Sequence, residues 1–409
     1  MMENPDRPRG WRVFQVFLCL AFLALTAFFL YQAIPGATAV ESAAHGGGSP
    51  GTAGGGKPGG LCFFGETAGE LARTPVSVLL PAWSRRMEGR IYMAAHGDTL
   101  YLASSTGQIS AMDVSSGRTR WSLNLGAAVC SAPAVQEGVV YACTTNRLLY
   151  ALDAQSGALL WYFSCQGVIN SQPSVGGRRV YLCADNDSVF NLVQHVYALD
   201  ARSGALLWLH EMQDWTPSPP AVGLDAVYLA GFRRRLTALD KRNGTTLWTA
   251  PSSSIVLGPP RLVGDLVVYH SIDGWVRAVD ARNGTLEWSL RLPGWGSMTA
   301  DESTGTLYIL AGGNRLYALS ASEGAFSWTY TESGLLSCNP AGGLVYLFSG
   351  SGDVYLLDPA TGMEKAVFLL PHPPASTPLV TGDSIIVPSA DGWIHAYRVP
   401  PRENPPGNT

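Results

Sequence analysis

The sequence predicts an all-β fold, an eight-bladed β-propeller of four-stranded antiparallel blades. The pattern Asp-x-x-x-Gly-x-x-x-Trp recurs as Asp113/Gly117/Trp121, Asp153/Gly157/Trp161, Asp200/Gly204/Trp208, Asp240/Gly244/Trp248 and Asp280/Gly284/Trp288. A sixth copy has Ser320 before Gly324 and Trp328, and a seventh keeps Asp358 and Gly362 but has Ala366 in the Trp position. The steps between copies are 40, 47, 40, 40, 40 and 38 residues. A period near forty with four short β-like runs per unit is the signature of a propeller blade. Composition agrees: 14% charged residues with 46 Gly and 27 Pro in 409 residues suit many short strands joined by tight turns. A net charge of -4 gives no reason to expect nucleic acid as a partner.

At the N-terminus, Arg7, Arg9 and Arg12 precede an apolar run from Val13 to Tyr31. At ~1.5 Å per residue such a helix spans about 28 Å, enough for a hydrocarbon core. Positive charge before the run keeps residues 1–12 cytoplasmic and places the rest across the membrane. Residues 13–34 are therefore expected to be a transmembrane anchor; the competing reading is a cleaved signal sequence, since Ala37-Thr38-Ala39 fits a small-x-small site. Residues 35–75 read as a flexible Gly/Ser/Pro-rich linker. The propeller is expected over 76–399, monomeric and extracytoplasmic, with a tail over 400–409.

The second unit shows how a blade arises. Ser131–Gln136 is strand-like and ends at the turn pair Glu137-Gly138, Val139–Ala142 is a strong β run, Leu148–Asp153 alternates, and Ala158–Phe163 follows the loop Ala154–Gly157. These are strands A to D of one antiparallel sheet. The Asp opens the C–D loop, where its carboxylate accepts backbone N–H bonds. The Gly supplies positive φ, and the Trp on strand D fills the gap between neighbouring blades. Asn243-Gly244-Thr245 and Asn283-Gly284-Thr285 match a glycosylation acceptor, but turn geometry alone explains them. After the seventh unit an eighth runs through Thr377–Val380, Ile385–Val387 and Trp393–Tyr397 and lacks a strand D, while Val78–Trp83 looks like a strand D without a blade. Joining the two closes the ring and hides open sheet edges.

The segments LYALDAQSGALLWYF, VYALDARSGALLWLH and VRAVDARNGTLEWSL resemble the A-x-D-x-x-[TS]-G-x-x-x-W tryptophan-docking motif of the PQQ-like (pyrrolo-quinoline quinone) β-propeller repeat family. The resemblance covers about residues 78–399. It implies the fold and leaves function open, because quinoprotein dehydrogenases and BamB-type scaffolds share the repeat. The dehydrogenases of this fold carry an adjacent Cys-Cys pair, long insertions and an acidic Ca²⁺ cluster with a catalytic Asp. This chain has no Cys-Cys pair and no long insertion, and its nearest acidic group, Asp185-Asn186-Asp187, reads as a polar loop. No cofactor, metal or catalytic residue is expected.

Six cysteines lie beyond the apolar run and show no C-x-x-C spacing; between Cys130 and Cys143 the sequence leaves a disulfide or two free thiols open. The histidines form no H-x-H or H-E-x-x-H element, and His270 and His395, in strand runs, read as satisfied structural residues. Arg233-Arg234-Arg235 reads as a solvated basic turn.

The expected function is a non-enzymatic, membrane-tethered scaffold that binds a protein or peptide partner in the cell envelope. The alternatives are an extracytoplasmic sensor of a small ligand or a PQQ-dependent dehydrogenase. Binding is expected on the face that carries the B–C turns and D–A connections, where the units differ. Trp215 and Trp295 fall in D–A connections, Trp275 and Trp393 lie beside Asp-Gly turns, and Asp185 and Asp187 begin the expanded B–C region, about residues 184–194, of the third unit.

Overall fold

Each B strand of this chain is an apolar run that can be buried on both faces, and most D strands keep one face turned to solvent. The computed structural model, which describes residues 76–169, 171–185 and 193–400, builds eight antiparallel sheets from these runs. Blade one is typical: strand A Ile91–His96, strand B Thr99–Ser104, strand C Gln108–Asp113 and strand D Thr119–Asn124, paired in that order. Strand B is buried along its whole length, whereas strand D buries Trp121 and exposes most of its other residues. No helix of the described residues is long and apolar enough to cross a membrane, and the segment 13–34 lies outside them.

The core is eight cores. Each hydrophobic cluster joins two successive blades, from Tyr101, Ile109 and Trp121 against Val140 and Leu152 between blades one and two, to Ile386 and Ile394 against Leu100 and Met112 between blades eight and one. With eight interfaces for eight blades the ring is closed.

Closure differs in detail from the expectation of one orphan strand over Val78–Trp83. Pro81–Arg86 pairs antiparallel with Trp393–Arg398 as strand D of blade eight, placing Trp83 opposite Ala396. Val76–Val78 does something else: it adds in parallel to Glu364–Leu369, the outer strand of blade seven. The N-terminal segment thus covers two edges on two neighbouring sheets.

The recurrent residues lock each blade to the next. The ring of Trp208 lies over Gly244 of the following C–D loop, so close that a Cβ there would sit 2.6 Å from Cε3. Its indole N–H donates to the Lys241 carbonyl at 3.1 Å. Trp83, Trp121, Trp161, Trp248, Trp288 and Trp328 make the equivalent bond to the next loop. Opposite each docking Trp, strand C carries an Ala (Ala111 facing Trp121, Ala198 facing Trp208, Ala318 facing Trp328), which makes room for the indole. Asp153 Oδ1 accepts the Ser156 N–H at 2.8 Å, and Asp113, Asp200, Asp280 and Asp358 cap their loops likewise.

Blade seven inverts the pair. Ala366 stands in the Trp position, and Leu356 stands opposite it. Leu79 of the incoming segment packs instead into the cluster that Leu356 and Ala366 share.

Cys130, Cys143, Cys165, Cys183 and Cys338 are free thiols. The Cys130 N–H donates to the Cys143 carbonyl, and burial pushes the thiols of Cys165 and Cys183 up to about 12.

Candidate functional site

Seven of the eleven tryptophans in the ring are consumed by docking. The other four, Trp215, Trp275, Trp295 and Trp393, are the predicted site residues; none of them donates an indole hydrogen bond among the described residues, and all lie in D–A connections or beside B–C turns. Strands alternate in direction, so these segments share one face of the ring, opposite the capped C–D loops.

The four are not equivalent. Trp393 is 38% exposed. Trp275 is half-buried, with the Arg277 guanidinium 5.1 Å from its ring centroid, a cation–π geometry. Trp215 and Trp295 are half-buried with their indole N–H groups enclosed and lacking an acceptor. Trp215 packs on Phe232 of the blade-four B–C turn, ring centroids 4.5 Å apart.

Around Trp215 the face is densely hydrogen-bonded. Asp214, 1% exposed, accepts the N–H groups of Trp215 at 2.8 Å and Arg233 at 2.9 Å, and Arg235 Nε lies 3.6 Å from its other oxygen. Burial pushes this carboxyl up, while the two N–H donors and the nearby arginines oppose the shift. Next to it, Gln194 Oε1 accepts from Thr216 N, and Gln194 Nε2 donates to Thr216 O. The basic run 233–235 is therefore more than the solvated turn expected from sequence: it ties a D–A connection to a B–C turn.

In the expanded unit, strand B runs to Asp185 and strand C begins at Gln194. The D–A connection before it supplies an extra short strand, Val168–Ile169, which pairs with Asp185 and Ala184. Asp185 is half-buried at this edge, and Asp187 lies outside the described residues.

Two features escaped the sequence reading. The first is the central channel, a cavity of about 660 Å³ lined by the A strands of six blades. Its wall is punctuated by Pro133, Pro173, Pro220 and Pro260, each placed just before a strand A. Strand A is the inner edge of its sheet, so the missing N–H breaks no ladder. That recurrent Pro was the available signal. Arg261 reaches into the channel, donates Nε–H to the Met298 carbonyl at 3.2 Å and forms no ion pair among the described residues. Burial lowers its pKa.

The second is at the ring seam, where His372, Asp391 and His395 converge with ligand atoms within 4.8 Å of one another. The expectation that His270 and His395 are satisfied does not hold: among the described residues, neither ring nitrogen of His270 and not Nε2 of His395 has a hydrogen-bond partner. The Gly294 and Gly296 backbone lies near the His270 ring without closing a full hydrogen bond, and burial pulls that imidazole down to about 4. Pattern searches in sequence fail here because residues 372 and 395 come from different elements.

A family model described as outer membrane protein assembly factor BamB matches residues 70–182, 133–195, 192–334 and 272–399. The chain belongs to this PQQ-like β-propeller repeat family. No curated protein matches it. Among solved structures, BamB from Moraxella catarrhalis is similar with a TM-score of 0.63 at 20% identity, covering 79% of this chain and 100% of that one. Quinohemoprotein alcohol dehydrogenase from Comamonas testosteroni gives a TM-score of 0.64 at 14% identity, covering 81% and 78%. Sqt1 from Saccharomyces cerevisiae gives 0.65 at 11%, covering 80% and 100%. Identities this low show a shared fold alone.

Quinohemoprotein alcohol dehydrogenase shares this fold, which raises the question of whether a Ca²⁺–quinone pair fits the channel. Its described lining is Pro, Ala, Val and Leu262 with Gln136, Gln172, Ser174, Thr299, Arg261 and the single carboxylate Glu302. Calcium takes six to eight oxygens, with several carboxylates among them. The channel wall does not offer that donor set, so the residues present do not fit the group.

Proposed function

We propose that this PQQ-like propeller is a non-enzymatic scaffold, tethered to the membrane by residues 13–34, that binds a protein or peptide partner in the cell envelope on its B–C/D–A face. The observation that carries this reading is the division of the tryptophans: every docking indole is bonded into the next blade, and the four left over gather on one face. Tryptophan is an enriched interface anchor because it buries a large rigid surface at small entropic cost. The membership of the BamB family model supports a partner of the envelope-assembly kind. Trp393 is exposed and Trp275 keeps its indole nitrogen unenclosed, so these two should dominate capture; Trp215 and Trp295, whose indole N–H groups are enclosed, should contribute less. Photo-crosslinkers placed at 275 and 393 of the full chain in cells should trap a discrete partner, and one at the outer-rim position Leu160 should not. Trp275→Ala with Trp393→Ala should weaken capture by about 2 kcal/mol or more, with circular dichroism unchanged. Undiminished capture by the folded double variant would move the site elsewhere.

A second reading, a small anionic ligand in the channel, is favoured by Arg261 alone. A half-buried guanidinium with no carboxylate partner among the described residues is a ready donor to a carboxylate or phosphate, and about 660 Å³ suits a small ligand. Titrating phosphate and citrate against thermal stability should then show saturable stabilisation that Arg261→Gln removes. An equal response from wild type and variant would discard this reading.

A further inference from the structure

We infer that His372, Asp391 and His395 form a binding site for one divalent transition-metal ion of the zinc class, which clamps the seam where the ring closes. The three side chains come from three segments: His372 from the connection between blades seven and eight, Asp391 from the B–C turn of blade eight, and His395 from its strand C. Each offers a ligand atom, and these atoms lie within 4.8 Å of one another.

Two of the three ligands are held by their other half. Ser84 Oγ, on the closing strand Pro81–Arg86, lies 2.8 Å from His395 Nδ1. With Nδ1–H donating to that hydroxyl, Nε2 carries the lone pair, and this nitrogen is buried without a partner on a residue only 3% exposed. Fixing one imidazole nitrogen by a hydrogen bond so that the other faces an ion is the usual outer-shell device of metal sites. Asp391 Oδ1 accepts from Ser389 Oγ and from the Trp393 N–H, which leaves Oδ2 to turn inward. His372 stands between Pro371 and Pro373, so its backbone is restricted before any ion arrives. The bridge between Pro374 and Ser389 and the bond from Ala375 N–H to Pro388 O tie that connection to the same turn.

Blade five supplies an internal control. Its turn Ser271-Ile272-Asp273-Gly274-Trp275 has the same hydrogen-bonded Ser–Asp pair, so the Asp by itself is a turn residue. There the position of His395 is taken by Arg277, which donates to Ser253. Only blade eight adds two imidazoles. Their rings stack at 3.9 Å with 8° between planes, and an ion would draw them into a wedge by turning the half-buried His372. Two imidazoles and a carboxylate with positions left for water match zinc, cobalt or nickel better than calcium or magnesium.

The experiment uses the full chain without a polyhistidine tag. One equivalent of Zn²⁺ should bind in calorimetry and raise the melting midpoint by about 5 °C, and Co²⁺ should give visible ligand-field absorption. Trp393, whose ring centroid is 6.5 Å from that of His395, should report Ni²⁺ or Cu²⁺ by quenching. His372→Ala and Asp391→Asn, which alter a connection and a turn, should each weaken Zn²⁺ at least about 100-fold with near-UV dichroism unchanged, and Ser84→Ala about 10-fold. No one-equivalent binding, or binding that both ligand variants retain, would overturn the site and leave a stacked histidine pair at the seam.

Discussion

Deleting residues 76–90 from the full chain should abolish the closed ring. The deletion removes strand D of blade eight and the added strand on blade seven together, exposing Trp393–Arg398 and Glu364–Leu369 as open edges. It also removes Trp83, whose indole N–H bonds the Val114 carbonyl at 2.8 Å and whose ring covers Gly117. Loss of one docked Trp costs about 3–5 kcal/mol, and unpaired edges invite association. The expected result is aggregation, or a melting midpoint lowered by about 10 °C or more. A shorter deletion of 76–78 should leave blade eight closed and cost less. A 76–90 deletion that stays monomeric, with melting unchanged, would rule out this closure.

The second large effect concerns the docking pair itself. Trp208→Ala should destabilise by about 3–5 kcal/mol. Gly244→Ala should cost about 2–3 kcal/mol, because φ is +75 and the new Cβ would meet the Trp208 ring. Gly382 has a φ of +58 with nothing within 4 Å of the equivalent Cβ, so Gly382→Ala should cost only about 1 kcal/mol. The two docking substitutions should be non-additive: once Trp208 is gone, Gly244→Ala keeps only its backbone cost, a coupling of about 1–2 kcal/mol. Denaturant unfolding of the four-member cycle measures it. Strict additivity would mean that ring and loop are not in contact.

The closed ring joins these results to the proposed activity. Docking engages the C–D loops and the blade interfaces, so the proposed partner face is the opposite one. The seam histidines lie on that face too, beside Trp393, so an ion there would stiffen one of the two accessible anchors.

The sequence by itself determined the blade. Asp, Gly and Trp at fixed spacing act within one C–D loop and across one neighbouring interface, so a forty-residue window contains their physical reason. Blade number followed by counting, and the missing strand of blade eight pointed to its donor near Trp83. The sequence also singled out Trp215, Trp275, Trp295 and Trp393 without saying how deep each ring would sit. Burial depends on what the neighbouring blade places over the ring, such as Phe232 over Trp215. Only the tertiary structure decided that Val76–Val78 pairs with blade seven, because a three-residue run carries too little pattern to choose an edge. It alone showed why Ala366 replaces Trp: the reason is Leu356 across the sheet and Leu79 from the other end of the chain. The placing of Arg261 on a channel lined by six separate A strands and the meeting of Ser84, His372, Asp391 and His395 were likewise decided by ring closure. Closure brings residues more than 300 positions apart into hydrogen-bond distance, and no local periodicity records that.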